Sequence, residues 1–244
     1  MQDPPGPREF ATTHWSLVGA ATPEEASQTR ARRALEELCR AYWYPLYAFV
    51  RFRGHSSDDA QDLTQSFFAR IIETGGFASA DRERGRFRSY LLGAMKHFLA
   101  NEWHRAQTQK RGGQVQFIEW DAFDLEARYS EASQQSDNPD HLFDREWALE
   151  TIAGTLQALR NEMGKAGKSD LFDALKGSLT GEVESTREEI AAELNMSEGA
   201  VKVAVHRLRQ RYRQLLRDAI AETVSNEADL DDEMRYLVAV LRRQ

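Results

Sequence analysis

The chain has 244 residues, 41% of them hydrophobic, and a formal net charge of -7 at neutral pH. A chain of this length most often forms two domains of roughly 100 residues each. The single cysteine, Cys39, excludes an internal disulfide, and the six histidines have no metal-ligand spacing, so we expect neither a metal site nor a cofactor. No apolar run approaches the roughly 20 residues of a membrane span. The first residues, MQDPPGPREF, include no signal-like stretch, so we expect a cytoplasmic protein.

Helical periodicity runs through most of the chain. Apolar residues recur three and four positions apart, whereas alternating strand patterns are nearly absent, and this predicts an all-α fold. We expect two small helical domains joined by a flexible acidic linker, the second domain containing a helix-turn-helix. The expected segments are an N-terminal extension at 1–24, a first helical domain at 25–115, the acidic linker at 116–146, a second helical domain at 147–223 and a C-terminal extension at 224–244.

A basic segment lies in the first domain between Asp81 and Arg111, where eight basic residues outnumber three acidic ones. Its helix has an apolar stripe formed by Leu91, Ala94, Met95 and Phe98. Helical spacing places a second set of side chains on a different face, namely Tyr90, His97, Asn101 and His104. Aromatic and polar groups among cations suit single-stranded nucleic acid, because bases can stack while the backbone is neutralised. A solvated polar face is the alternative interpretation.

The segment between Glu119 and Glu146 is strongly acidic. It has nine acidic residues against two arginines and is centred on SEASQQSDNPD. This composition is too polar to bury a core, so we expect a flexible linker.

The chain's last segment joins an acidic stretch, SNEADLDDE, to an amphipathic tail, MRYLVAVLRR. Leu237, Val238 and Leu241 form an apolar edge on this tail. The tail either packs on the second domain or acts as a regulatory latch.

The second domain contains the start and stop signals of two consecutive helices. Thr186 and Glu189 form a T-x-x-E capping box. Asn195 can adopt the left-handed conformation that ends a helix, and Ser197 then caps the next helix. Two helices joined by a turn of about three residues have the spacing of a helix-turn-helix unit.

The second of these helices divides its surface between core and cations. Its apolar stripe consists of Val201, Val205, Leu208, Tyr212 and Leu215. A separate face carries Lys202, His206, Arg209 and Arg213. A recognition helix in the major groove needs this division, because its first residues reach base edges while its flanks neutralise phosphates. A helical hairpin with a solvated basic face is the alternative.

Three motifs together resemble the extracytoplasmic-function, or group IV, sigma factors of bacterial RNA polymerase. The motifs DDAQDLTQSFF, FRSYLLGAMKHFLANEWHR and EIAAELNMSEGAVKVAVHRLR occur in the family order and at about the family spacing. The resemblance covers about residues 25 to 223. It implies a promoter-specificity subunit, which binds core polymerase and directs transcription initiation at minus-thirty-five and minus-ten promoter elements.

The resemblance also implies a role for each motif. The first would dock on the clamp helices of the largest polymerase subunit through Asp59, Asp62 and Gln65. The second would capture non-template bases and open the minus-ten region through Arg86, Arg88, Tyr90, His97, Asn101, His104 and Arg105. The third would read the upstream element through Ser197, Lys202, His206, Arg207, Arg209 and Arg213. Further partners implied are the flap of the second-largest subunit and, as a candidate regulator, an anti-sigma factor.

The chain departs from the family pattern at several positions. Gln61 and Ser66 stand where glutamates are usual, so the docking face is less acidic. Thr64 and Ser66 are therefore candidate phosphorylation sites for a Ser/Thr kinase, because each phosphate adds about -1.5 to -2 charges. Asn101 replaces a usual aspartate, and Asn195 replaces a usual glycine.

Two other classes of function stay open on the sequence. One is a free-standing helix-turn-helix regulator with a helical partner-binding domain, although a duplex-only repressor needs no base-trapping basic segment. The other is an enzyme acting through Asp58 and Asp62, which lie four residues apart with no complementary acid or base in view. The sequence has no phosphate loop, no paired nucleophile and base and no metal cluster, so we expect a protein that is not an enzyme.

Overall fold

A computed structural model describes residues 41–73, 86–106, 122–181, 186–224 and 226–242, without the side chains of residues 72, 104–106, 122 and 123. About 86% of these described residues are helical, and none of them lies in a strand. The predicted all-α fold is confirmed. The expected N-terminal extension at 1–24, the start of the first domain at 25–40 and the start of the linker at 116–121 lie outside the described residues.

The described helices are numbered in chain order. The described part of α1 covers residues 41–52. The others are α2 (Ser57–Glu73), α3 (Phe87–Ala106), α4 (Ala122–Gln134), α5 (Pro139–Lys165), α6 (Ser169–Leu175), α7 (Gly177–Thr180), α8 (Arg187–Glu193), α9 (Glu198–Ala221) and α10 (Glu227–Arg242). The chain divides into two compact units: unit 1 holds the described residues up to Glu150 and from Ile220, and unit 2 is Thr151–Ala219.

Unit 1 is built around α1, of which residues 42–50 are all buried. A helix that is apolar on every side must be covered by other helices. Phe87 of α3 supplies part of this cover through an edge-on contact with Tyr42, and Phe67 of α2 contacts Phe98 of α3 in the same way. The ring centroids of Phe67 and Phe98 lie 5.7 Å apart, and those of Tyr42 and Phe87 lie 5.3 Å apart. These contacts fix α3, which carries the basic and aromatic residues singled out in the sequence.

Helices α4 and α5 occupy most of the segment expected to be a flexible acidic linker. Their buried side chains within unit 1 include Leu125, Ala132, Leu142, Phe143 and Trp147. Acidic residues of the segment are paired: Glu126 accepts a hydrogen bond from Arg51 at 3.2 Å, and Glu146 accepts one from Arg128 at 3.0 Å. The expectation of a flexible linker is therefore wrong for the described part. Apolar residues at helical spacing and arginine partners outweigh its acidic composition.

Unit 2 has a small apolar core to which its helices contribute Leu159, Phe172, Leu175, Ala191, Val201 and Leu208. The predicted capping box is confirmed at the start of α8, where the Thr186 hydroxyl accepts from the Glu189 amide and the Glu189 carboxylate accepts from the Thr186 amide. Asn195 has a φ of 50°, the left-handed conformation predicted for it. The Ser197 hydroxyl accepts from the Ala200 amide at 3.2 Å and so caps α9. The short turn between α8 and α9 follows from these local signals.

The C-terminal helix α10 belongs to unit 1, so the first of its two expected alternatives, packing on the second domain, is wrong. Its buried residues are Leu230, Glu233, Leu237 and Val240. Val238, which we placed on the apolar edge, is 43% exposed. The buried stripe is therefore rotated from the predicted edge, and an acidic residue occupies one of its positions.

Candidate nucleic-acid interface

Helix α9 carries exposed cations on one side of unit 2. Lys202, His206 and Arg213 are exposed and make no hydrogen bond or ion pair with any described residue. Arg209 is exposed too, but its Nε and Nη2 donate to the Ser178 carbonyl oxygen at 3.2 and 2.9 Å. A cleft of about 920 Å³ opens beside Lys202, His206 and Arg209. Its lining also includes Arg187, Glu193 and the pair of Lys176 and Asp173, whose Nζ and Oδ1 lie 3.2 Å apart. Phosphate oxygens of a duplex can approach such a face.

An apolar groove of about 540 Å³ lies on the other side of α9. Its lining includes Met163, Leu171, Met196, Ala200, Val203 and Ala204, bordered by Lys168, Arg207 and Arg211. Val203 is 49% exposed there. Ala200, Ala204 and Arg211 lie roughly 160° to 200° round the helix from Lys202 at about 100° per residue. One helix therefore presents two chemically different surfaces, and Arg207 belongs to the groove and not to the row of Lys202.

Arg211 is held within unit 2 by Glu162. Its Nε and Nη2 donate to the two Glu162 oxygens at 2.9 and 2.7 Å. The hydrogen bonds from Arg211 lower the pKa of Glu162 below its usual value, which slight burial opposes. The guanidinium of Arg211 thus supports the packing of α9 on α5.

The polar face of α3 is exposed in unit 1. His97 and Asn101 are exposed and Tyr90 is partly buried. The apolar stripe predicted for this helix is buried at Leu91, Met95 and Phe98. His104 and Arg105 lie in the last turn of α3, but their side chains are outside the described part of the chain.

Two arginines at the start of α3 pair with carboxylates that are distant in sequence. Arg88 is 7% exposed, and it donates from Nε to Glu233 Oε1 at 2.5 Å and from Nη1 to Asp144 Oδ1 at 2.6 Å. The Nε of Arg86 lies 2.9 Å from Glu233 Oε2. The carboxylate of Glu233 binds both arginines, and its side chain is only 1% exposed. Arg88 is therefore not available to a phosphate in this fold, contrary to the role expected for it in nucleic-acid binding.

Aromatic side chains complete this cluster. The Tyr236 hydroxyl donates to Asp144 Oδ2 at 2.5 Å, and the Arg88 guanidinium lies 4.0 Å from the Tyr236 ring centroid and 5.2 Å from that of Trp147. Burial lowers the pKa of Arg88, but the hydrogen bond to Glu233 and the charge of Asp144 raise it, and the net pKa is raised. Arg88 therefore stays charged inside unit 1.

The sequence interpretation did not assign a role to Asp144, Glu233 or Tyr236. A signal for Glu233 was present, because Leu230, Glu233, Leu237 and Val240 follow each other at spacings of three, four and three. An acidic residue on an apolar stripe indicates a buried cationic partner. Nothing comparable in the sequence identifies Arg88 as that partner.

Helix α2 presents its acidic residues outward. Asp59 and Asp62 are exposed and Gln65 is partly exposed. The Ser56 hydroxyl accepts from the Asp59 amide at 3.1 Å and donates to Asp59 Oδ2 at 2.7 Å, so Ser56 caps the helix. The acidic face is therefore accessible to a partner protein.

The two candidate phosphorylation sites on α2 differ in accessibility. Thr64 is fully buried, and its hydroxyl has no hydrogen-bond partner among the described residues. Ser66 is exposed. A kinase acting on this folded unit could reach Ser66 but not Thr64.

Helices α8 and α9 are joined by a short turn, and α9 carries exposed cations, an arrangement that is typical of helix-turn-helix units. The model of the ECF sigma factor family matches residues 32–218, so the chain belongs to this family of non-enzymatic transcription initiation factors. No curated protein and no solved structure matches the chain. Among the described helices, none is long and apolar enough to cross a membrane. The described residues include no group of three or more side chains able to hold a metal ion.

Proposed function

We propose that the chain is a promoter-specificity subunit that binds core RNA polymerase in the cytoplasm and directs initiation at promoters with minus-thirty-five and minus-ten elements. The observation that carries the proposal is the division of α9 into a cation face and an apolar groove on opposite sides, in a chain of the ECF sigma factor family. One surface suits DNA and the other suits a protein, so unit 2 can bind both partners together.

Unit 2 reads the upstream element from the major groove in this proposal. Lys202 and His206 lie in the first half of α9, where the side chains of a recognition helix reach base edges. Arg213 lies further along the same face and contacts phosphate, while Ser197 holds the first turn of α9 in place. Arg209 combines a phosphate contact with its bond to the Ser178 carbonyl.

The apolar groove of unit 2 docks the flap of the second-largest polymerase subunit. Its apolar lining with cations at the border suits an apolar helix with acidic flanks, since such a segment buries its apolar side chains and pairs its acids with Lys168 and Arg207. Docking there leaves the row of Lys202 open to DNA.

Unit 1 contacts the polymerase and the melted promoter through two helices. The exposed Asp59 and Asp62 of α2, with Gln65, dock on the clamp helices of the largest subunit, whose basic surface they complement. The exposed polar face of α3, with Tyr90, His97 and Asn101, holds unstacked bases of the minus-ten region. The chain's regulation can include phosphorylation of the exposed Ser66 by a Ser/Thr kinase, which adds negative charge to the docking face.

The experiment that tests the proposal is transcription in vitro with purified core polymerase on genomic fragments. We expect promoter-dependent transcripts from the wild-type chain. Neighbouring substitutions on α9 then separate the two surfaces: Val203→Asp weakens core binding and leaves upstream duplex binding intact, whereas Lys202→Ala has the reverse effect. Each variant is the control for the other, because both positions are exposed on one helix.

Absence of core binding and of initiation, with Ser66 either phosphorylated or unmodified, would overturn the proposed function. Loss of core binding in Lys202→Ala, with unchanged core binding in Val203→Asp, would contradict the assignment of the two faces. The kinase hypothesis fails if Ser66→Ala and Ser66→Asp both transcribe as well as the wild-type chain does after kinase treatment.

A further inference from the structure

The C-terminal helix α10 lies beyond the residues that match the family but is part of unit 1. The family match ends at residue 218, whereas α10 spans Glu227–Arg242. It buries Glu233 together with Leu230, Leu237 and Val240. Burying a carboxylate is costly unless it is paired. An added helix that does so has a more specific task than covering an apolar surface.

The partners of Glu233 indicate what that task is. Arg86 and Arg88, which flank the first residue of α3, each place Nε within 2.9 Å of a Glu233 oxygen. The amide of Phe87 donates to the Thr223 carbonyl at 3.3 Å, so the chain leading to α10 holds the same turn. Helix α10 and the residues before it thus hold the start of α3.

Helix α10 contacts α3 from behind its polar face. At about 100° per residue, Arg88 lies roughly 180° round α3 from His97 and roughly 140° from Asn101. Asp144 and Trp147 of α5 contact Arg88 on this same inner side. A helix in this position supports α3 and leaves the polar face uncovered, so nucleic acid can reach that face while α10 stays bound.

We propose that Glu233 is a positioning residue for promoter opening. Tyr236 supports it by packing its ring on Arg88 and by donating a hydrogen bond to Asp144. The carboxylate of Glu233 fixes Arg86 and the first turn of α3, so that the polar face of α3 is preformed to hold melted bases. Glu233 itself touches no nucleic acid. This inference rests on the proposed function of the chain as a promoter-specificity subunit.

The test uses Glu233→Gln in the full-length chain. The amide keeps the shape and one acceptor oxygen, but it places an N–H donor where one of the two arginines needs an acceptor. Asp232→Asn is the matched control, because it removes the same charge from the same helix at an exposed position, where Asp232 pairs with the nearby Arg235. Tyr236→Phe is a milder second variant: it removes the hydrogen bond to Asp144 and keeps the ring against Arg88.

The first measurement is amide hydrogen exchange in the free protein, which requires no polymerase. We expect exchange over residues 86–92 to rise roughly tenfold in Glu233→Gln, the factor that losing one charge-assisted hydrogen bond brings. Tyr236→Phe raises exchange over the same residues by a smaller factor. Exchange over residues 198–219, the part of α9 in unit 2, stays unchanged in both variants, and Asp232→Asn behaves like the wild-type chain.

The second measurement is open-complex formation by the polymerase loaded with each variant, on the promoter that the wild-type chain transcribes best. Glu233→Gln is expected to lower open complexes by roughly tenfold while core affinity and upstream duplex binding stay at wild-type values. A purely structural role would lower all three together.

Unchanged exchange at the start of α3 in both Glu233→Gln and Tyr236→Phe would overturn the proposal. So would a rise in open complexes, because α10 would then be a latch that must leave. If the wild-type chain forms no open complexes, the proposed function and the promoter-opening role fail together. Faster exchange in Glu233→Gln would in that case still support the hold of Glu233 on α3.

Discussion

Cations have opposite settings in the two units. In unit 1, Arg88 lies between Asp144 and Glu233, which are 56 and 145 residues away along the chain. In unit 2, Lys202 and Arg213 face outward and make no ion pair with a described residue. Both settings occur in segments that are basic in sequence, so local charge alone does not distinguish a cation that holds the fold from one that meets a partner.

The two settings have different energetic consequences. A buried pair loses its hydration, and removing one partner leaves the other charged and unsatisfied. Exposed cations are screened by water and salt and contribute little to folding. The buried Arg88 of unit 1 should therefore affect stability, and the exposed cations of α9 should affect binding.

The largest effect is expected on the stability of unit 1, when the buried Arg88 is removed. We expect Arg88→Ala to lower the free energy of unfolding of unit 1 by about 3 to 5 kcal/mol, because Asp144 and Glu233 lose their buried counter-charge. All five tryptophans lie outside residues 151–219, so tryptophan fluorescence during guanidinium denaturation follows unit 1.

The matched control is Arg207→Ala, which removes an exposed arginine from unit 2. Because residues 151–219 hold no tryptophan, unfolding of unit 2 is followed by far-UV circular dichroism, and its free energy of unfolding should change by no more than about 0.5 kcal/mol. Equal destabilisation by the two variants, or a stable Arg88→Ala chain, would remove the distinction between the units.

A smaller effect is expected on DNA binding by the exposed cations of α9. Lys202→Ala should cost about 1 to 3 kcal/mol of binding free energy to a duplex carrying the upstream element. Arg209→Ala should cost less, because its guanidinium already bonds to the Ser178 carbonyl. Fluorescence anisotropy of a labelled duplex against salt concentration measures both losses. A larger loss for Arg209→Ala would mean that its bond to Ser178 positions it for DNA.

The local structure of the second domain could be predicted from the sequence because its signals act over short distances. The capping box joins Thr186 to Glu189, and Ser197 caps α9 three residues on, at Ala200. The left-handed conformation of Asn195 depends on that residue alone. Interactions of this range are present in the sequence as spacings, so the helix boundaries followed from them.

The charge cluster of unit 1 could not be predicted, because its members come together only when the helices pack. The composition of residues 119–146 was also misleading. Leu142 and Phe143 are buried there, and Glu126, Asp144 and Glu146 pair with arginines of other helices. The face of α10 that is buried is the one that carries Glu233, and this depends on the contact between Glu233 and Arg88. That information lies in tertiary contacts and not in the local pattern.

The smallest expected effect concerns the ion pair of Arg51 and Glu126 in unit 1, which is partly exposed. It tests how strongly the contribution of an arginine pair to stability depends on burial. Hydrogen bonds from Arg51 lower the pKa of Glu126 below its usual value, and partial burial opposes this. Because the folded pKa is lowered, the pair stabilises the fold above the usual pKa and loses this contribution as pH falls through the folded value. The side chain of Glu126 is 42% exposed, so the contribution should be under about 1 kcal/mol.

Glu126→Gln should make the stability of unit 1 depend less on pH between about pH 5 and 3. Tryptophan fluorescence measures this stability, and Glu131→Gln on the same helix should leave its pH dependence unchanged. An unchanged pH dependence in Glu126→Gln would mean that an arginine contact stabilises unit 1 only when it is fully buried, as at Arg88.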